Sequence, residues 1–586
     1  MYNTMGILYY GIVLITLCFI TPQLWALQRN YRAARATGLP IVVFPYDPDS
    51  LLHIIFANPL RPVLHAILPT SLFDIFELTT FGWEFRDKAA IHERLGLNFI
   101  IVSPGVNRLI CAEPAVGQTI LARRKDFVHQ DVSLQAMGFL GKNIITNNHD
   151  AWSRQRRIVA PALSERISSD VWKVSAEHAS SLANILLSSG PSTTDTIPGL
   201  RAIAINVLTR IAYGHKKPFA LPSSSYDPKA EISYVDGICI TVEFLVVAAF
   251  LPGRLLRLPI MPRSVQTLGV ALERLPELTK NMLRREREKP VDLTDSPQDA
   301  DSGPTQAPET ILKTFVRLSD QSEEQADSRD ITAGKSFLTE EEIAGNLFIF
   351  TAAGFDTTAN TMGYAVTILA AYPQWQAWVQ EEIDSLMGSP STRSEDEPVL
   401  PDYATTFPRL IRCLAVMFET LRLFPPVIAV TRTTTTNQHI PSGNAPEQSF
   451  VLQRPSSAHV NIMALHTSPS TWGADALEFN PARWLQAADG KVGAEELVTP
   501  SRGVFIPWSS GPRTCPGQKM SQVEFVSVFA TLFGRCGVEP VPADGESMQQ
   551  ARQKLLDLTQ DSEPILTLQM NRPKDVHLKW VKRGSV

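Results

Sequence analysis

Hydrophobic and polar positions are distributed unevenly along the chain. Met5 to Leu27, M-G-I-L-Y-Y-G-I-V-L-I-T-L-C-F-I-T-P-Q-L-W-A-L, carries no charge and few polar side chains. A helix of about 20 apolar residues spans the hydrocarbon layer, so this block predicts a membrane anchor over residues 1–28. Pro22 would kink such a helix without breaking it. Arg29, Arg32 and Arg35 follow directly and favour the cytosolic side for what comes after. A cleaved signal peptide is the competing reading, but there is no basic n-region and no clean small-residue cleavage site. Residues 29–40 read as a basic linker ending in G-L-P, and 41–586 as one large folded region.

Beyond the linker the pattern is mostly helical. Asn98 to Pro104, N-F-I-I-V-S-P, reads as a strand meeting a turn. Asp150 is placed to open a helix carrying W-S-R-Q-R-R. Val242 to Leu251 is apolar but too short to cross a bilayer. About residues 286–337 form a polar insertion interrupted by a helical run, Glu309 to Leu318. Thr339 then caps a helix whose first turn holds Glu340, Glu341 and Glu342. That helix runs to about Ala371, long enough to cross a whole molecule. Two more are predicted, from Phe407 to Phe424 before Pro425-Pro426, and from about Gly517 to Arg535. The fold class is therefore mainly α with small β-sheets.

The net charge is −5 and no basic block stands out, which argues against nucleic acid as a partner. The six cysteines include no C-x-x-C pair, so zinc-ribbon and thioredoxin readings have little support. Cys111, Cys239, Cys413 and Cys536 read as small buried hydrophobes.

Cys515 is different. It sits in F-I-P-W-S-S-G-P-R-T-C-P-G, Phe505 to Gly517, a loop dense in proline and glycine. Gly511 permits a close approach or an unusual dihedral. Gly517 opens the next helix, so Cys515 lies where unpaired N–H groups and the helix dipole favour a thiolate. Arg513 is two residues away. A lone cysteine cannot hold zinc, but it can be the single protein ligand of a haem iron.

Two other stretches carry polar groups in apolar text. In N-L-F-I-F-T-A-A-G-F-D-T-T, Gly354 costs about 1 kcal/mol relative to alanine, and Asp356 and Thr357 need partners if buried. Thr357 can bond back to the carbonyl of residue 353. In F-E-T-L-R-L-F-P-P, Glu419 and Arg422 share one helix face. N-P-A-R-W downstream offers Arg483 as a third member.

Together these motifs resemble those of cytochrome P450 monooxygenases of the microsomal, fungal type. The family's F-x-x-G-x-R-x-C-x-G appears as W-S-S-G-P-R-T-C-P-G, with Trp508 in place of the phenylalanine. A-A-G-F-D-T-T matches the oxygen-activating helix, E-T-L-R and N-P-A-R-W the structural triad, and W-S-R-Q-R the W-x-x-x-R element. The resemblance implies the P450 fold over about residues 40–583 and haem b, with Cys515 as the axial thiolate and metal ligand. Trp508, Gly511 and Gly517 would shape its loop. Arg513, Trp152, Arg156 and Arg432 would serve the propionates. Asp356 and Thr357 would relay protons, and Gly354 would leave room for dioxygen. Glu419, Arg422 and Arg483 would be structural.

The resemblance further implies oxidation, most simply hydroxylation, of an apolar small molecule in fungal secondary metabolism. Ring closure, epoxidation or multi-step oxidation are the alternatives, followed by a reductase-independent isomerase or dehydratase. No glycine-rich nucleotide fingerprint is present, so NADPH-derived electrons should come from a separate NADPH–cytochrome P450 reductase, with cytochrome b5 as a further partner. The expected location is the endoplasmic reticulum membrane, single-pass, in contact with lipid, with the catalytic domain in the cytosol.

Overall fold

The computed structural model describes residues 2–129, 137–222, 229, 231–288, 310–327, 337–388, 400–443, 449–488 and 495–584; side chains of residues 2–17, 51, 246, 249–250 and 321–327 are outside that description. Most of the polar insertion lies outside it too. The helix within the insertion runs Ile311–Asp327. The described chain divides into two compact units.

The first unit comprises Met1–Gln130, Val427–Glu478 and Pro500–Thr514. Its centre is a six-stranded sheet in the order Ile41–Val43, Asn98–Val102, Asn107–Cys111, Ser456–Asn461, Ala429–Thr434, Phe127–Val128. Successive side chains of a strand point to opposite faces, and both faces here are covered. Phe99, Ile101 and Ile110 pack with Phe44 and Trp83 on one side. Ile100, Val102, Leu109 and Cys111 pack with Val116, Ala458 and Val460 on the other. That is why N-F-I-I-V is apolar throughout instead of alternating.

The N-terminal helix of this unit spans Tyr2–Arg35, so residues 29–35 of the expected linker are its last turns. Those turns are docked: Asn30 is buried, its amide donates to Ser103 O over 2.8 Å, and its carbonyl accepts from Asn107 over 2.8 Å. Leu27 and Ala34 pack on the sheet cluster. The structure gives the transmembrane expectation for Met5–Leu27 no support. The side chains of its first part lie outside the described residues, and among the described residues no helix is long and apolar enough to cross a membrane. The described remainder of the helix turns one face to protein and leaves the other exposed, with Ile20, Leu24 and Trp25 preceding Arg29 and Arg32.

The second unit comprises Asp131–Pro426, Phe479–Thr499 and Cys515–Val586 and is mostly helical. The long helix is Glu340–Ala371. A capping box starts it: Thr339 Oγ1 accepts from Glu342 N over 3.2 Å, and Glu342 Oε2 accepts from Thr339 N over 3.0 Å. Pro373 opens the next helix. The long helix is apolar all round because it is buried nearly all round. Helix Thr196–Tyr213 lies along it, and helix Gln518–Arg535 lies along Ser168–Ser188. The helix with the tryptophan–arginine element is His149–Val159, with Asn148 at the N-cap position; Asp150 falls in its first turn and is not the cap. Cys413 and Cys536 are buried, as is Cys111 in the first unit, while Cys239 is only half-buried.

Candidate active site

The cysteine loop is shaped residue by residue. Gly511 has φ +70°, and a Cβ there would lie 2.8 Å from Leu121 O. Only glycine fits both the left-handed backbone and that approach. Gly511–Arg513 forms a single 3₁₀ turn, and Thr514 Oγ1 donates back to Gly511 O over 2.8 Å. Trp508 stands edge-on to Phe505, with ring centroids 6.5 Å apart. His466, fully buried, accepts the Ile506 N–H at Nε2 over 2.9 Å and so fixes the segment leading in.

Cys515 follows, two residues before Gly517 and the helix Gln518–Arg535. Gly517 has an ordinary φ of −87°. A Cβ there would meet Cys515 Sγ at 3.8 Å, an ordinary contact. Cys515 is solvent-accessible, yet enough protein crowds the sulfur to push the thiol above its usual range. The Gly517 N–H and the Arg156 guanidinium act the other way and are outweighed. The Gly517 N–H is the helix-terminus donor that the sequence reading named. A bound metal would deprotonate the sulfur outright.

Arg156 is half-buried on helix His149–Val159, and Trp152, one turn earlier, is buried. In the first unit a second cationic group gathers. Arg432 is buried on strand Ala429–Thr434, which pushes its pKa down to about 10. Its Nη1 lies 3.4 Å from His129 Nδ1 and donates to Thr431 O over 2.9 Å. Burial, then Arg432, then Arg513 hold His129 down to about 2. Two guanidiniums beside a neutral imidazole are chemically suited to carboxylates.

On the long helix, Ala353, Gly354, Thr357 and Asn360 are partly accessible while the residues around them are buried. At helical spacing they make one narrow stripe. Thr357 Oγ1 donates to Ala353 O over 2.9 Å, and the helix stays continuous through it. The space left by Gly354 faces Leu208, whose methyls would lie 3.2 Å from a Cβ. The glycine thereby lets helix Thr196–Tyr213 approach, while it stays on the accessible stripe.

Asp356 turns away into the protein. It is buried, accepts from Thr567 Oγ1 at Oδ2 over 2.6 Å, and pairs through Oδ1 with Arg201 at 3.4 Å. Asn360 donates to Thr567 Oγ1 over 2.9 Å. Burial raises the Asp356 pKa against Arg201 and Thr567.

Glu419 and Arg422 are both fully buried. Arg422 donates through Nε and Nη2 to the two Glu419 oxygens, each over 2.8 Å. Arg483 Nε and Asn480 N reach Oε1 over 3.0 and 2.9 Å, and Trp484 Nε1 reaches Oε2 over 2.9 Å. The carboxylate is saturated with donors, which offsets the cost of its burial.

Sequence reasoning missed Arg201, Thr567, His129 and the Trp484 donor. The tryptophan was visible in N-P-A-R-W; the other three have no local signal.

The sequence profile of the Cytochrome P450 family matches residues 91–567. The chain belongs to that family, and it is an oxygen-incorporating oxidoreductase with the mainly helical P450 fold. Its relatives include the phomenoic acid biosynthesis cluster cytochrome P450 monooxygenase of Leptosphaeria maculans, 28% identical and covering 97% of this chain and 98% of the relative. The cytochrome P450 monooxygenase ORF6 of Penicillium roqueforti is 25% identical, covering 97% of each. The 11-oxo-beta-amyrin 30-oxidase of Glycyrrhiza uralensis is 24% identical, covering 74% of each. Membership implies a cysteine-ligated haem. The residues fit it: Cys515 is accessible for the iron, and the Arg156 guanidinium acts on its sulfur within the same unit. Among the described residues no cluster of three or more His, Cys, Asp or Glu side chains could hold a metal ion, and a single-cysteine ligand needs none.

Proposed function

We propose that this chain hydroxylates an apolar small molecule in fungal secondary metabolism, using NADPH-derived electrons delivered by a separate cytochrome P450 reductase of the class II type, with cytochrome b5 as a second donor. The observation that carries the reading is the accessible stripe Ala353–Gly354–Thr357 on a helix otherwise buried. It offers an apolar wall with one hydroxyl, suited to a greasy substrate. The nearly end-to-end match to the Leptosphaeria maculans relative supports the metabolic setting.

Haem, when bound through Cys515, supplies the oxygen activation. The chain's own residues do the rest. Thr357 presents a hydroxyl that can exchange its bond to Ala353 O for one to a reacting group. Asp356, held by Thr567 and Arg201, keeps a proton to higher pH than an exposed carboxyl would. The guanidiniums of Arg156 in one unit and of Arg432 and Arg513 in the other are of a chemistry that suits carboxylates. We place the protein at the endoplasmic reticulum membrane with this domain in the cytosol, a reading supported by Arg29, Arg32 and Arg35 after the apolar start.

The test is spectral and kinetic. Reduced wild-type protein should show the carbon-monoxide band of a haem thiolate, and Cys515→Ser should lose it while keeping its far-UV circular dichroism; survival of the band would sink the ligand assignment. Substrate turnover should need the added reductase. Turnover without it would point to the isomerase class.

A further inference from the structure

We propose that the outward face of the N-terminal helix, where Trp25, Gln28, Arg29, Arg32 and Ala33 meet Gln453, binds the phosphate of an anionic phospholipid headgroup. These residues line an open groove of about 360 Å³ within the first unit.

The helix has two faces here, at ordinary helical spacing. Leu27, Asn30 and Ala34 form the docked face: Leu27 and Ala34 join the sheet cluster, and Asn30 bonds to Ser103 and Asn107. Trp25, Gln28, Arg29 and Arg32 lie on the opposite face. Docking therefore holds the groove side chains on a fixed backbone.

Arg29 is positioned further. Its guanidinium lies 5.4 Å from the centroid of the Trp25 ring, and its Nε and Nη2 donate to Asn30 Oδ1 over 3.3 and 3.2 Å. The groove is lined by two guanidiniums and two carboxamides, and no carboxylate is among its lining residues. That donor set suits a phosphate oxygen cluster. It does not suit choline, because the Trp25 face that would take a quaternary ammonium already carries Arg29.

The lipid source is favoured over a free anion by what surrounds the groove. Ile20, Leu24 and Trp25 are 45%, 60% and 64% exposed, on the turns just before the arginines. Apolar side chains followed by tryptophan and then arginine is the order met on passing from acyl chains to headgroups. In the same unit Leu52, Ile55, Phe56, Val63 and Ile67 are also exposed along helix Leu51–Ile67.

The inference rests on the membrane placement proposed above, and the test separates the two. Full-length holoprotein in neutral detergent is mixed with short-chain phosphatidic acid or phosphatidylcholine, and adducts are read by native mass spectrometry. Wild type should take phosphatidic acid in preference. Arg29→Gln with Arg32→Gln should bind it about tenfold more weakly, as expected for losing charge-assisted bonds. Arg284→Gln with Arg285→Gln, an equal charge change on another helix, should bind as wild type does. Equal loss in both double variants, or none in the first, overturns the site. Displacement by the same concentration of inorganic phosphate overturns the lipid as ligand. Membrane pelleting of the wild type, measured separately, reads placement alone. An unchanged carbon-monoxide band certifies that the exposed substitutions left the fold intact.

Discussion

Thr567 Oγ1 donates to Asp356 Oδ2 over 2.6 Å, joining residues 211 positions apart. The bond favours the charged carboxylate, as does Arg201 on the other oxygen, while burial opposes both. Thr567→Val removes one of the two opposing influences, so the Asp356 pKa rises further. The pH at which product formed per NADPH oxidised falls by half should move upward. A profile that coincides with wild type would separate Asp356 from proton delivery.

Glu419 is the common acceptor of Arg422, Arg483, Asn480 and Trp484. Glu419→Ala leaves the Arg422 guanidinium buried without its counter-charge. Losing one partner of a buried pair costs about 3–5 kcal/mol. Urea unfolding should register a loss of that order, and Arg483→Ala, at a less buried position, a smaller one. A loss under about 1 kcal/mol for Glu419→Ala, the range of exposed pairs, would contradict the saturated geometry.

The two glycines flanking Cys515 should respond differently to alanine. At Gly511 the added Cβ meets both a φ of +70° and a carbonyl oxygen at 2.8 Å, so Gly511→Ala should purify with several-fold less haem per protein. At Gly517 φ is ordinary and the contact is 3.8 Å, so Gly517→Ala should retain haem. The haem-to-protein absorbance ratio reads both. Equal loss at the two positions would show that the motif's glycines share one role.

Glu524 is buried on helix Gln518–Arg535, its Oε1 has no hydrogen-bond partner, and burial pushes its pKa to about 8 from 4.5. The folded state thus holds the proton more tightly than the unfolded one. Its contribution to stability is full below pH 4.5 and is lost as pH rises through about 8. Glu524→Gln should flatten that stretch of the pH–Tm curve. Parallel curves for variant and wild type would mean that the carboxyl is already ionised in the fold.

The parts legible in sequence are those whose physics is local. Thr339 and Glu342 are three residues apart and close a capping box on each other, so the start of the long helix could be read directly. Pro373 marks its end the same way, and the back-bond from Thr357 to Ala353 needs only helical geometry. The hydropathy of Met5–Leu27 was equally local. It could not register that Leu27, Asn30 and Ala34 dock on a sheet whose strands come from elsewhere in the chain.

What the sequence determined by itself was a mainly helical chain with a lone cysteine in a proline- and glycine-rich loop, and with it the family, because each motif is a contiguous string. The tertiary structure alone decided the partners of Asp356, the pairing of His129 with Arg432, the packing behind Gly354 and the protonation tendency of Cys515. Each of these depends on what a distant segment brings within a few ångströms. Desolvation in particular is a sum over all surrounding atoms, so a dipole read from neighbouring residues could be outweighed by protein mass that no local string contains.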